Sequence, residues 1–159
     1  MSQAPILVTG ATGLVGNNVV RRLLADGARV RALVRSTQAS RPFEGLDVEL
    51  AQGDITDAAS VARACEGTSA VIHAAGHVQI GRTQLDLHRA VNVDGTRNVV
   101  DAAKAAGAKL VHVSSCDALG ARSRTEPIDE DTETDGQLLV PYAITKREAE
   151  LVVLDAVAA

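Results

Sequence analysis

Tyr142 and Lys146 are the two side chains of this sequence whose types and spacing best suit proton transfer. They lie four residues apart in a segment, 138–158, that has the pattern of a helix, so both fall on one helix face. A free phenol has a pKa of ~10 and is a poor base at neutral pH. A fixed ammonium group nearby favours the phenolate, and Tyr142 could then take a proton from an alcohol or give one to a carbonyl. The alternative is a surface pair without a chemical role.

A glycine-rich segment follows the first predicted strand, 5–9, and opens the first predicted helix, 14–26. Gly10 permits a tight turn, Gly13 lets the backbone approach a diphosphate, and Gly16 lets the helix pack closely on the sheet. The start of the helix offers unpaired N–H groups and a partial positive charge to phosphates. In this strand-turn-helix context the spacing predicts a dinucleotide-binding loop. The alternative is that the glycines only shape a turn.

The end of the second predicted strand indicates which dinucleotide is bound. Sites that prefer NAD usually place an acidic residue there to accept hydrogen bonds from the ribose 2′-hydroxyl. Here Val34 takes that position and Arg35 follows it. A guanidinium can hold a 2′-phosphate through paired hydrogen bonds, whereas a carboxylate would repel it. The sequence therefore favours NADP, with NAD as the alternative; Arg35 as a solvated surface residue is the competing interpretation, and Arg31 is expected to be exposed.

Apolar runs alternate with helical patterns along the chain. The predicted strands are 5–9, 29–34, 47–51, 69–75 and 109–114, the predicted helices are 14–26, 56–65, 84–106 and 138–158, and 121–136 is predicted to be an acidic loop. This alternation predicts an α/β Rossmann fold, a three-layer sandwich around a doubly wound parallel sheet. The expected strand order is 3-2-1-4-5, which places the ligand at the carboxyl ends of strands 1 and 4. We expect one domain over residues 1–159.

Composition excludes several classes of protein. A net charge of −4 argues against a nucleic acid or an anionic membrane as partner. The two cysteines, Cys65 and Cys116, form no CxxC pair and are interpreted as reduced thiols. No apolar run approaches the ~20 residues of a membrane span, and the first strand leaves little room for a signal peptide. These features predict a cytoplasmic protein.

Six motifs, in this order along the chain, resemble the extended short-chain dehydrogenase/reductase family. The similarity is to its branch of dihydroflavonol reductases, 3β-hydroxysteroid dehydrogenases and sugar epimerases, often called NAD-dependent epimerase/dehydratase. The motifs are TGATGLVG at 9–16, GDI at 53–55, HAAG at 73–76, NVDGTRN at 92–98, SS at 114–115 and PYAITK at 141–146. The resemblance covers nearly the whole chain and implies the Rossmann fold that the alternation of elements predicts.

The resemblance implies a catalytic set of Ser115, Tyr142, Lys146 and Asn92. Ser115 is expected to bond the substrate oxygen, and it is preferred over Ser114 because of its place in the family pattern. Lys146 should also bond the hydroxyls of the nicotinamide ribose. Asn92 should support the lysine and its water, or alternatively make a structural bond across a helix kink.

The resemblance also implies a set of cofactor contacts. Asp54 and Ile55 are expected to line the adenine pocket, with Asp54 accepting a hydrogen bond from the adenine amine. Small residues at 74–76 leave room for the ribose and phosphates, whereas His73 is interpreted as a core histidine with satisfied hydrogen bonds. The predicted cofactor-binding residues are Gly10, Thr12, Gly13, Leu14, Val15, Gly16, Arg35, Asp54, Ile55, Ala74, Ala75, Gly76 and Lys146. No metal site is predicted.

The activity that the resemblance implies is that of an NAD(P)-dependent oxidoreductase, which moves a hydride between NADP(H) and a small-molecule secondary alcohol or ketone. One alternative is a nucleotide-sugar epimerase or dehydratase, which uses the same residues but recycles its cofactor. Another is a cofactor-binding fragment or sensor without turnover.

The length of the chain differs from that of the family. Extended members are considerably longer, and their substrate-binding part comes largely after the helix that carries the tyrosine and lysine. Because this chain ends at Ala159, we expect the C-terminal substrate lobe to be missing. Weak cofactor binding and poor turnover are then expected, unless a homodimer through helices 84–106 and 138–158 covers the exposed surface.

Overall fold

The computed structural model describes residues 4–38, 41–79, 81, 83–120, 127–129, 138 and 140–158. Within these ranges the strands are β1 Ile6–Thr9, β2 Val30–Val34, β3 Glu49–Gln52, β4 Ala70–His73 and β5 Lys109–His112. The α-helices are α1 Leu14–Ala25, α2 Ala58–Cys65, α3 Leu85–His88, α4 Gly95–Ala106 and α5 Pro141–Ala158. A π-helical segment, Arg89–Asp94, joins α3 to α4, and Arg41–Phe43 and Cys116–Leu119 form short 3-10 turns.

The five described strands form one parallel sheet in the order β3-β2-β1-β4-β5. This confirms the predicted Rossmann architecture and strand order. Its topological switch point lies between β1 and β4, where Ile6 pairs with Ala70 on one side and with Val30 on the other. That residues 1–159 form a single domain stays a prediction.

Two aliphatic clusters hold the helical layers on the two faces of the sheet. Side chains of the sheet alternate between faces, so neighbouring strand residues belong to different clusters. The cluster under α2 and α4 contains Leu7, Leu33, Val61, Val71 and Val99, whereas that under α1 contains Val8, Val20, Ala32, Val34 and Phe43. With so few aromatic residues in the chain, the core consists mainly of aliphatic side chains.

All four predicted helices differ from the structure in their bounds, and two of these differences have a clear physical cause. The last helix begins at Pro141 rather than at residue 138, because proline suits the first helical position and disfavours helix in the residue before it. The predicted helix 84–106 begins at Leu85 after a left-handed Gln84, and it widens into the π-helical segment in its middle. Apolar periodicity cannot reveal one extra residue per turn, so the sequence did not indicate this segment.

Gly10 sets the closest approach at the carboxyl edge of the sheet. Its φ is +67°, and a Cβ there would lie 2.6 Å from the backbone of Ala74 and of Ala75. Only glycine combines this conformation with this contact. The loop after β1 and the loop after β4 are therefore packed backbone to backbone, and a crevice opens above them.

Three further expectations concern the acidic segment, membrane-spanning helices and metal sites. The acidic segment 121–136 lies outside the described residues, except for 127–129. Across the described ranges, no helix is long and apolar enough to cross a lipid bilayer. Among the same residues, no group of three His, Cys, Asp or Glu side chains could hold a metal ion.

Candidate cofactor cleft and catalytic helix

A cleft of about 490 Å³ lies at the carboxyl edge of the sheet, at the switch point. Its volume falls within the range of roughly 300–1,000 Å³ that ligand sites occupy. The predicted cofactor residues that line it are Gly10, Thr12, Gly13, Arg35, Asp54, Ile55, Ala74, Ala75 and Gly76. A larger hollow of about 780 Å³ opens at the amino ends of β2 and β3. It contains none of the glycine loop, so the smaller cleft is the candidate site.

Gly13 lies at the start of α1, where the diphosphate is predicted to bind. It is the N-cap of α1, with φ −82° and ψ 171°, and its N–H donates to the Gly10 carbonyl at 2.9 Å. No side chain caps this helix, and its first turn contains no acidic residue. The N–H groups of that turn and the helix dipole are therefore left for an anion.

Leu14, Val15 and Gly16 do not line the cleft, unlike most of the other predicted cofactor-binding residues. The side chains of Leu14 and Val15, 84% and 51% exposed, line a separate apolar groove with Ile72, not the cleft. Their side chains therefore lie outside the cleft, and binding of the cofactor through their backbone N–H groups stays a prediction. Gly16 is buried, and a Cβ there would overlap the Gly10 carbonyl, so its part is close packing.

The adenine end of the cleft is framed by the ends of β2 and β3. Arg35 is exposed there. The Arg31 side chain is only 16% exposed and forms a salt bridge with Glu49 at 2.7 Å, so its part is structural. The expectation that Arg31 is exposed is therefore wrong. One Asp54 carboxylate oxygen, Oδ1, already accepts from the N–H and hydroxyl of Thr56 at 2.9 and 2.8 Å. A bond from adenine would have to reach its other oxygen.

His73 is a core histidine, as predicted. It is fully buried, and its Nδ1 and Nε2 lie 2.7 Å from the Thr9 hydroxyl and 3.0 Å from the Thr96 hydroxyl. Burial, together with the charges of His112 and Lys146, lowers its pKa to about 3. The ring is thus neutral at neutral pH and supports the floor of the crevice.

Lys146 ties the predicted catalytic helix to the end of the sheet. It is 5% exposed, and its ammonium donates to the Val113 carbonyl at 2.6 Å. Burial lowers the pKa of this ammonium, which the nearby Glu150 carboxylate opposes. Tyr142 is half-buried one turn earlier on α5. Lys146 therefore sits beside the carboxyl end of β5, with Tyr142 one turn earlier on the same helix.

Ser115 follows Val113 by two residues and begins the 3-10 turn after β5. Its hydroxyl accepts from the Asp117 N–H at 3.3 Å, so its own proton is free to be donated. The neighbouring Ser114 hydroxyl is buried, with no hydrogen-bond partner in the described part of the chain. Lys146 and Ser115 thus lie at the same end of β5, and their part in a catalytic set stays a prediction.

Asn92 lies in the π-helical segment and is 2% exposed. Its amide oxygen accepts from the His77 N–H at 2.7 Å, and its amide nitrogen donates to the His77 carbonyl at 3.2 Å and to the Thr145 hydroxyl at 3.0 Å. The alternative given for Asn92 was a structural bond across a helix kink, and these bonds agree with it. Their partners are His77, which follows β4, and Thr145, which lies on α5. A part in supporting Lys146 through water stays a prediction.

Sequence reasoning missed several residues of the site. His77 lines the cleft beside Gly76, and Thr145 lies between the two predicted catalytic residues. Thr145 stood inside the PYAITK motif, so its position was visible although its hydrogen bonds were not. Leu33, Val34, Gly53, Leu87 and Val91 also line the cleft. Gly53 in the GDI motif and Val34 at the end of the second strand stood at positions that the sequence marked, whereas Leu33, Leu87 and Val91 look like core residues in a sequence.

A model of the NAD dependent epimerase/dehydratase family matches residues 6–159. The chain belongs to this family. The resemblance inferred from the six motifs is thereby confirmed. Among family relatives, 3 beta-hydroxysteroid dehydrogenase type 7 of Rattus norvegicus is 38% identical over 161 residues, covering 94% of this chain and 48% of the relative.

Solved structures of NAD-dependent epimerase/dehydratase relatives agree with the fold. A short-chain dehydrogenase/reductase superfamily protein from Agrobacterium tumefaciens with bound NAD is 34% identical, with a TM-score of 0.78 over 93% of this chain and 43% of that one. The Bordetella bronchiseptica enzyme WbmG, in complex with NAD and UDP, is 27% identical, with a TM-score of 0.82 over 96% of this chain and 50% of that one. The chain thus spans about half the length of these relatives.

Proposed function

We propose that the chain binds NADP(H) in the cleft and takes part in hydride transfer between this cofactor and a secondary alcohol or ketone. The observation that carries the proposal is the buried Lys146, held by the Val113 carbonyl at the end of β5 with Tyr142 one turn away on the same helix. The residues present fit the cofactor. A glycine cradle without space for a Cβ at Gly10, an uncapped helix start and an exposed guanidinium lie along one cleft.

Each part of the cleft suits one part of a dinucleotide. The N-terminus of α1 at Gly13 would hold the diphosphate, and Arg35 would hold a 2′-phosphate. Asp54 and Ile55 would border the adenine, while residues 74–76 leave room for the ribose on the way to β5. The related structures with bound NAD support the nicotinamide dinucleotide, and Arg35 is the reason to favour NADP.

The chemistry of the chain itself is proton transfer and positioning. A bound nicotinamide ring supplies or accepts the hydride. The Ser115 hydroxyl would donate a hydrogen bond to the substrate oxygen and hold it against the phenol. Tyr142 would give a proton to a carbonyl or take one from an alcohol, and the buried Lys146 ammonium lies one turn away on the same helix.

Arg35 provides the test of cofactor choice. We expect Arg35→Ala to weaken NADPH binding about tenfold, because a charge-assisted bond to the 2′-phosphate is lost, and to leave NADH binding unchanged. Fluorescence titration of both nucleotides measures this, with Arg63→Ala on α2 as a matched control that removes one exposed arginine outside the cleft. Equal affinity for NADPH and NADH, unchanged by Arg35→Ala, would remove the assignment to NADP.

A second candidate function is that of a nucleotide-sugar epimerase or dehydratase. It is favoured by the similarity to WbmG, whose structure contains both NAD and UDP. Such an enzyme returns the hydride to the same substrate, so it has no need to release its cofactor. Nicotinamide nucleotide that stays with the purified protein through gel filtration would favour this candidate over the reductase.

Self-association through the long helices is a further part of the proposal. Leu151, Leu154 and Val157 are 44%, 54% and 80% exposed on α5, at a spacing of three that places them near one face. A second copy would cover this apolar surface. A purely monomeric sedimentation profile would contradict the homodimer.

The cytoplasmic location stays a prediction.

A further inference from the structure

Thr145 occupies an unusual place between the two proposed catalytic residues of α5. It is fully buried, and its hydroxyl donates to the Pro141 carbonyl at 2.8 Å, with the Tyr142 carbonyl at 3.2 Å. A threonine that bonds back to its own helix is common. The same hydroxyl also accepts a hydrogen bond from the Asn92 amide at 3.0 Å, a partner outside its own helix.

The orientation of the Asn92 amide is fixed by its partners. A backbone N–H of His77 requires the amide oxygen on one side, and a His77 carbonyl requires the amide nitrogen on the other. Turning the amide over would place oxygen against oxygen and nitrogen against N–H. The remaining amide hydrogen therefore points at Thr145, whose own proton is used within α5.

These hydrogen bonds connect the cleft to α5. His77 lines the cleft, Asn92 holds both backbone groups of His77, and Thr145 holds Asn92 from the turn that carries Tyr142 and Lys146. The Asn92–Thr145 bond is buried and the two bonds to His77 are part-buried, and away from water a hydrogen bond is strong and an unpaired polar group is costly. The Thr145 hydroxyl thus links the α5 turn to the cleft, in addition to the bond from Lys146 to the Val113 carbonyl and the ion pair between Arg89 and Glu148.

We propose that Thr145 is a positioning residue, which sets Tyr142 and Lys146 against the nicotinamide end of the cleft through Asn92 and His77. This inference rests on the proposed function. The adenosine end of the cleft, around Arg35 and Asp54, is lined by the loops after β2 and β3 and has no link to Thr145 among the described hydrogen bonds. Loss of the hydroxyl is therefore expected to affect one end of the ligand and not the other.

The test compares two ligands in three variants. Thr145→Val keeps the shape of the side chain without the hydroxyl, Thr145→Ser keeps the hydroxyl, and Thr145→Ala removes the hydroxyl in favour of a strong helix former. The ligands are NADPH and adenosine 2′,5′-bisphosphate, which lacks the nicotinamide half. We expect Thr145→Val and Thr145→Ala to bind NADPH about tenfold more weakly and adenosine 2′,5′-bisphosphate as wild type does. Thr145→Ser should bind both ligands within about threefold of wild type.

Other outcomes would overturn the proposal. Unchanged NADPH affinity in a folded Thr145→Val or Thr145→Ala chain would show that the hydroxyl only bonds back to its helix. An equal loss for both ligands, or a loss in Thr145→Ser as well, would show a general structural part. Urea unfolding shows which variants are folded. If Thr145→Val does not fold, Thr145→Ala takes its place in the comparison. A wild-type chain that binds neither ligand would instead refute the proposed function, and this inference with it.

Discussion

A Gly13→Asp chain is expected to bind NADPH at least 100-fold more weakly than wild type without loss of folding stability. The carboxylate would lie at the start of α1, where the diphosphate is proposed to sit. Two like charges about 4 Å apart repel by about 4 kcal/mol at an effective dielectric constant of about 20, and each 1.4 kcal/mol is a factor of ten in affinity. The new side chain would also accept the N–H groups that the phosphates need.

The same substitution should not harm the fold. Gly13 is the N-cap of α1 in an extended conformation, and aspartate is among the preferred residues at that position. A Cβ there would lie 3.3 Å from the Gly10 carbonyl oxygen, a tight contact that a small shift relieves. Gly13→Asn is the matched control, because it has the same size and no charge. Isothermal titration and urea unfolding would measure both properties, and wild-type NADPH affinity in Gly13→Asp would show that phosphates do not bind there.

Tyr142→Phe is expected to lower the rate of NADPH-dependent ketone reduction about 10²- to 10⁴-fold, the usual contribution of a positioned acid or base. NADPH affinity should stay within about threefold of wild type. The half-buried ring keeps its packing in phenylalanine, and only the hydroxyl is lost. Lys146 would be a poorer choice for this test, because its loss also removes the hydrogen bond to the part-buried Val113 carbonyl.

The assay follows NADPH oxidation with a panel of ketones, including steroid and flavonoid ketones, in wild type and Tyr142→Phe. Ser115→Ala should give a smaller loss, because it removes one hydrogen bond to the substrate and leaves the proton donor. Undiminished turnover in Tyr142→Phe would exclude the phenol as the acid. A wild-type chain that binds NADPH and reduces no ketone would favour the cofactor sensor instead.

The architecture and the cleft could be predicted from local patterns. Apolar runs between helical segments require parallel strands with crossovers, and this fixes the order of β1 to β5 and the edge at which Gly10 and Gly13 lie. Ser115, Tyr142 and Lys146 could be placed because strand ends and a spacing of four are local features.

Contacts between distant segments could not be predicted in the same way. Asn92 bonds His77 and Thr145, which lie 15 and 53 residues away, through a helix widened by one residue per turn. No periodicity distinguishes a π-helical turn from an α-helical one at this length. The groove that the Leu14 side chain lines also had no signal in the sequence, since a motif specifies the backbone path and not which groove each side chain enters.

The central claim is that a dinucleotide lies in the cleft with its nicotinamide end at Tyr142. Tyr142 is the only tyrosine and the chain has no tryptophan, so its ring protons can be told from those of Phe43 and the four histidines by comparison with the spectrum of Tyr142→Phe. A nuclear Overhauser spectrum of the NADPH complex tests the claim most directly. The account predicts cross-peaks between the Tyr142 ring and the nicotinamide protons, and none to the adenine protons. Saturated binding with no such cross-peak, or with contact between Tyr142 and the adenine ring, would contradict it.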